Sequence, residues 1–181
     1  MKTTRGIASY RAVQSLYQAW RIRDLLREIR NPSVVEIGAG TGRTAYYAYR
    51  LGINRYTIID LPLTCASQAH FLSRVLGVDA IRLYGETGNG IAILPPQAFT
   101  RELEHFDLVV NVDSLTEMDF QIAQRYWKDI ERKAPMFLSI NHEFNQFTVH
   151  DLIVNSNKVC EYSSCLYWMR PGYVEEIVKM R

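Results

Sequence analysis

The sequence predicts an α/β protein built on a doubly wound, mostly parallel sheet that an antiparallel hairpin closes at its C-terminal end. Three observations carry that expectation. Val34-Val-Glu-Ile-Gly-Ala-Gly-Thr-Gly42 is a buried-strand run that breaks into glycines at alternate positions. Strand-like and helix-like segments then alternate along the chain. Near the end, Arg170-Pro-Gly172 places a turn signal between two strand-like runs.

In chain order, Ile7, Tyr10, Val13, Leu16, Tyr17, Trp20, Ile22, Leu25, Leu26 and Ile29 recur at helical spacing. Arg5 to Ile29 is therefore expected to form one or two amphipathic helices that cover one edge of the sheet, a ligand lid being the alternative and compatible with it, as an N-terminal part (1–32) of the same domain as 33–181. Asn31-Pro32 ends them. Val34 to Ile37 has the length and β-branched content of a buried parallel strand. The glycines turn the chain, Arg43 to Leu51 is a helix and Gly52 caps it. Arg55 to Asp60 is the second strand, with an acid at its end, and Leu63 to Leu76 is the next helix.

Ala80 to Tyr84 reads as a third strand followed by a glycine-rich loop, Gly85 to Gly90. From Ile91 to His105 the pattern is poor, Pro95-Pro96 argues against a regular helix, and a helical turn is expected at Phe99 to Leu103. Phe106 to Val112 is a strong buried strand, Phe120 to Arg132 a helix and Ala134 to Ile140 a strand. Phe147 to Val154 fits a short helix or a strand. Cys165 to Met169 and Tyr173 to Met180 are the arms of the closing hairpin.

The 181 residues suit one domain with a core of its own. Lys plus Arg (21) against Asp plus Glu (19) leaves a net charge of +2, so no global field calls for nucleic acid or an anionic membrane. The three cysteines, Cys65, Cys160 and Cys165, have no metal-ligand or redox spacing and read as buried or half-buried thiols. With no apolar run long enough to span a bilayer and no signal-peptide core, a cytoplasmic location is expected, with a homo-oligomer open.

In an open α/β sheet, ligands gather outside the carboxyl ends of the strands, where four stretches converge: Gly38 to Gly42, Asp60-Leu61, Tyr84 to Glu86, and Asn111 to Glu117. A glycine turn leading into a helix N-terminus is a cradle for an anionic or nucleotide ligand. Asp60, at the end of the strand after that turn, is placed to accept hydrogen bonds from both hydroxyls of a ribose. The glycines run GxGxG, so the GxGxxG/A spacing of a dinucleotide site is not met from Gly38. Glu36 is an acid in a buried strand, costly unless it meets something cationic, such as the ammonium end of a methionine group, or an array of backbone N–H groups.

On Val34 to Gly42, on Ile58-Ile-Asp-Leu-Pro62 and on Val109-Val-Asn-Val-Asp-Ser-Leu-Thr-Glu-Met-Asp119, the sequence resembles the class I S-adenosylmethionine-dependent methyltransferases, with their Rossmann-like sheet. The same stretches more narrowly resemble bacterial sugar O-methyltransferases, over most of Val34 to Ile140. The resemblance implies that S-adenosyl-L-methionine is the cofactor, its methionyl part held by Glu36, Gly38, Ala39, Gly40 and Gly42. It further implies ribose binding by Asp60, Leu61 against the adenine, Gly85 or Glu86 at the adenine edge and Asn111 beside the methionine sulfur. The implied acceptor is a small molecule, a sugar or glycoside. A sulfonium methyl is already activated, so the protein must align the acceptor and help remove a proton. Asp113, Glu117 and His142 stand where such a base is needed. No metal site is predicted: Asp113, Glu117 and Glu143 have no diagnostic ligand spacing, and a divalent-metal requirement is not legible.

The chain departs from that family in having fewer residues before its first strand and a short stretch between the fifth strand and the hairpin. A second reading is thus a cofactor-holding but catalytically incomplete subunit that acts with a partner. A third is a nicotinamide-dependent oxidoreductase, which fits the sheet but not the glycine spacing or Glu36.

Overall fold

The computed structural model describes residues 2–4, 6–101, 105–154 and 156–181. A small antiparallel pair, β1 (Lys2–Thr3) and β2 (Gly6–Ile7), precedes helix α1 (Tyr10–Leu25). There follow β3 (Ser33–Ile37), α2 (Arg43–Arg50), β4 (Arg55–Ile59), α3 (Pro62–Leu76), β5 (Ile81–Leu83), β6 (Ile91–Leu94) and α4 (Pro96–Arg101). The second half holds β7 (Leu108–Val112), α5 (Phe120–Lys133), β8 (Met136–His142), α6 (Val149–Ile153), β9 (Val159–Leu166) and β10 (Tyr173–Met180).

The main sheet runs β5-β6-β4-β3-β7-β8-β10-β9. Its first six strands are parallel, and β10 lies antiparallel to both β8 and β9. All five residues of β3 are buried, as a central strand covered on both faces requires. Val35, Ile37, Leu94, Phe99, Trp127 and Phe137 pack in the core on one face; Val34, Tyr56, Ile58, Leu72 and Ala45 pack on the other. The chain leaves β3 towards β4 on one side and later returns to β7 on the other. The strand order thus reverses between β3 and β7, and a crevice opens at their carboxyl ends.

Four expectations change. Ile91–Leu94 is a fully buried strand between β4 and β5, so Ile81–Leu83 is displaced to the edge of the sheet. Four apolar residues carry no periodicity of their own, and only pairing on both sides identifies them as a strand. Pro96 opens a helix because the first helical position needs no N–H; of the turn expected there, Leu103 lies outside the described residues. The N-terminal helix spans only Tyr10–Leu25, capped by Ser9 Oγ, which accepts the Ala12 N–H at 3.1 Å. Arg5 also lies outside the described residues. Within Phe147–Val154, Val149–Ile153 is a helix, with Thr148 at its N-cap in a capping box with Asp151. Cys160 and Cys165 are exposed rather than buried, because β9 is the sheet's outer edge.

Candidate active site

The crevice between β3 and β7 holds a cavity of about 210 Å³. Its floor is Glu36 and the turn Gly38-Ala-Gly-Thr41; Arg43 and Thr44 of α2 form one side, and Val112, Asp113, Ile140, Tyr167, Arg170 and Tyr173 the other. The roof comes from α1, through Arg11, Gln14, Ser15 and Gln18. Helix α1 thus covers the sheet through the buried Ala19 and Ile22 and also borders the cavity. Its apolar Tyr10, Leu16 and Trp20 are exposed, while Gln14, Ser15 and Gln18 are buried over the crevice. Gln18 Oε1 accepts the Thr44 hydroxyl at 2.7 Å, and Glu175 of β10 takes Arg21 Nε at 2.6 Å and the Tyr17 hydroxyl at 2.8 Å. A helix over a polar cleft must direct polar residues inward, and apolar periodicity cannot report that.

Glu36 is the innermost charge. Burial, with the nearby Asp60 charge adding to it, pushes its carboxyl up to about 7, against hydrogen bonds that favour the ionised form. Tyr56 supplies one, its hydroxyl donating to Glu36 Oε2 at 2.9 Å. Replacing Tyr56 by Phe leaves that buried carboxyl short of a donor, and thermal melts should show a loss of about 1–2 kcal/mol.

Gly38, Gly40 and Gly42 all have positive φ, so the turn suits glycine. A Cβ on Gly38 would stand 2.2 Å from Ser114 Oγ, whereas one on Gly40 would meet nothing within 4 Å. Gly38 is thus where β3 and the β7 end press together, and Gly40 is where the cradle opens.

Asp60 lies outside the cavity's lining, on the shelf beyond Gly40. The Leu61 N–H donates to its Oδ1 at 2.8 Å, and Gln68 Nε2 donates both to its Oδ2 at 2.7 Å and to the Gly40 carbonyl at 2.9 Å. Gln68, which sequence reading missed, ties the two halves of the site together. Its buried Oε1 has no partner, leaving an acceptor beside Asp60 and Gly40. Its place between one and two helical turns past Pro62 was its only sequence signal.

Asn111, Gly85 and Glu86 fall elsewhere than expected. Asn111 is fully buried beneath the cavity: its Nδ2 donates to the Ile37 carbonyl (2.8 Å) and to Ser114 Oγ (2.6 Å), and its Oδ1 accepts the Leu115 N–H and Asn141 Nδ2. It knots the strand ends together and does not line the cavity. Gly85 and Glu86 follow the edge strand β5, where Glu86 Oε2 accepts the Leu83 N–H. The Asp60 N–H instead donates to the Leu94 carbonyl at 3.1 Å, so Leu94-Pro95 is the neighbour of Asp60. Leu61 is 64% exposed at the start of α3.

Of the three candidate bases, only Asp113 lines the cavity. Its φ of +57° is strained for a non-glycine residue. Arg170 Nη1 donates to its Oδ2 and the Tyr173 hydroxyl to its Oδ1, both at 2.7 Å, and the Arg170 guanidinium lies 3.7 Å from the Tyr173 ring centroid. Both partners come from the closing hairpin. Burial first, then the bond to Asp113, pushes the Tyr173 hydroxyl up to about 12, so it stays a donor. Glu117 is exposed in the turn after β7. His142 packs edge-on against the Tyr173 ring at 4.8 Å, and its Nδ1 accepts the Phe144 N–H at 3.1 Å, which turns it behind the cavity wall. Among the described residues no group of three or more His, Cys, Asp or Glu is placed to hold a metal, and no helix is long and apolar enough to cross a membrane.

This architecture is the class I methyltransferase fold, a mostly parallel sheet with a C-terminal antiparallel hairpin. A Pyrococcus horikoshii OT3 protein matches 99% of this chain over 95% of its own, at a TM-score of 0.69 and 11% identity. Magnesium protoporphyrin IX methyltransferase from Synechocystis PCC 6803, with bound S-adenosylmethionine, matches 94% over 80% of its chain (TM-score 0.64, 11% identity). The mitomycin 7-O-methyltransferase matches 91% (TM-score 0.63, 15% identity), and the present chain spans 54% of that enzyme's length. No protein-family model and no curated protein sequence matches the chain.

Proposed function

We propose that the chain is an S-adenosylmethionine-dependent methyltransferase that acts on a hydroxyl oxygen of a small molecule. One observation carries this most: Glu36, a fully buried carboxylate, opens onto a glycine cradle with no cation paired to it among the described residues. That is a receptor for the cofactor's ammonium group. Asp60 and the unpartnered Gln68 Oε1 offer acceptors to the ribose hydroxyls, and the open space over Gly40 lets the cofactor approach the backbone. Leu61 and Pro95 flank Asp60 and are the residues to meet the adenine. The bound structure from Synechocystis supports this choice of cofactor. The resemblance to sugar O-methyltransferases and the mitomycin 7-O-methyltransferase's reaction support oxygen as the site of transfer, with a sugar or glycoside as acceptor.

When bound, the cofactor supplies an electrophilic methyl group and leaves as a neutral thioether. The chain's share is to orient and to take a proton. Asp113 faces the acceptor side and receives the hydroxyl proton. Arg170 and Tyr173 hold its two oxygens, and His142, through the Tyr173 ring, holds that wall in place. Gln14, Ser15 and Gln18 keep bulk water out from above.

Asp60→Ala removes the ribose acceptor and also releases Gln68. Calorimetry should show cofactor affinity falling about 100-fold, the worth of two charge-assisted hydrogen bonds. Unchanged affinity would sink the assignment.

A further inference from the structure

We infer that the methyl acceptor carries an anionic group, a carboxylate or phosphate, which docks against Arg11 and the free face of Arg170. The inference rests on the methyltransferase reading and deepens it. Three arginines line the cavity, Arg11, Arg43 and Arg170, against two carboxylates, Glu36 and Asp113. Asp113 is already held by Arg170 and Tyr173, and Glu36, at the bottom beside Tyr56, is the partner of the cofactor's ammonium group, so neither is left to neutralise the other arginines. Among the described residues no carboxylate pairs with Arg11 or Arg43.

S-adenosylmethionine does not correct this excess, because its sulfonium and ammonium outnumber its single carboxylate. That carboxylate can engage one arginine beside the glycine turn, where Arg43 stands at the start of α2. A positive cavity holding a positive cofactor repels a cation, is indifferent to a neutral acceptor at best and attracts an anion. The acceptor side has the donors to use that field. Arg170 bonds Asp113 through Nη1 alone, so its other nitrogens remain available. Arg11 reaches in from the exposed end of α1. Between them, Val112, Ile140, Tyr167 and Tyr173 make an apolar and aromatic wall against which the body of the acceptor rests.

The test uses benzoate, inorganic phosphate and the neutral benzamide, none of which offers an alcohol hydroxyl for turnover in place of the acceptor. Each is titrated by NMR into the whole chain, cofactor-free and loaded with S-adenosylmethionine, beside the Arg11→Gln variant. Benzoate is expected to bind the loaded chain at least about tenfold more tightly than benzamide, phosphate to compete with it, and Arg11→Gln to erase most of the preference. Arg11 is exposed, so its replacement leaves the core intact. Equal binding of benzoate and benzamide, no binding of either anion, or an unchanged preference in Arg11→Gln would each overturn the inference. Failure of S-adenosylmethionine itself to bind is a separate result, which overturns the methyltransferase reading and is read before any anion is added.

Discussion

Glu36→Gln is expected to make the cofactor-free chain more stable at pH 8 and to abolish cofactor capture. Burial raises the Glu36 carboxyl to about 7 in the folded chain, from an ordinary value near 4.5. The folded state therefore holds this proton more tightly than the unfolded state. The stability linked to it is complete below about pH 4.5 and is lost as pH rises through 7, a penalty of roughly 3 kcal/mol above that. Glutamine carries no charge to desolvate and still offers an oxygen to the Tyr56 hydroxyl. Thermal melts should place the variant several degrees above the parent at pH 8, and the two together near pH 4.5.

Binding should move the other way. A cofactor ammonium pairs with the ionised carboxylate alone, so the variant is expected to lose at least about 100-fold in affinity. In the parent, affinity should fall towards tenfold per pH unit once the pH drops well below 7. A variant that is less stable at pH 8, or one that binds S-adenosylmethionine like the parent, would contradict this account of Glu36.

Gly38→Ala is expected to cost about 3–4 kcal/mol of stability, read as a lowered urea midpoint. Its φ of +74° is unfavourable for alanine by about 1 kcal/mol, and the new Cβ would stand 2.2 Å from Ser114 Oγ and 2.6 Å from Ser114 Cβ. Ser114 cannot yield cheaply, since its hydroxyl donates to the Ile37 carbonyl at 3.1 Å and accepts Asn111 Nδ2 at 2.6 Å. Adding Ser114→Gly should restore the part due to the clash and leave the backbone strain. Gly40→Ala separates folding from binding. With nothing within 4 Å of its Cβ, it should cost only about 1 kcal/mol of stability, yet obstruct the cradle. Equal destabilisation by the two alanines would refute this division.

Much of the fold was legible because its signals are local. Val34-Val-Glu-Ile37 and the glycines after it state a buried strand and a tight turn within nine residues, and Pro171-Gly172 states the hairpin. Ile91–Leu94 was not legible, because a short apolar run fits any buried setting until its neighbours are known. The two ends of the candidate site differ in the same way. Glu36 and Asp60 could be singled out because an acid at a strand end is conspicuous. Asn111 looked equally conspicuous, but its polar atoms are spent on Ile37, Ser114, Leu115 and Asn141. Arg170 and Tyr173 gave no signal for the site, and Gln68 gave only its place in the helix after Pro62, since each acts through a partner that the fold brings to it.

By itself the sequence determined the alternation of strands and helices, the glycine cradle and the acids that bracket it, because these follow from residue type and spacing along a few neighbours. Tertiary structure alone decided that α1 presents glutamines to the crevice and that the hairpin delivers Arg170 and Tyr173 to Asp113. It also displaced the Gly85-Glu86 loop to the sheet edge. The physical reason is strand order: β10 lies next to β8, and β6 lies between β4 and β5, by pairings between segments far apart in the chain. Spacing along the sequence carries no record of them.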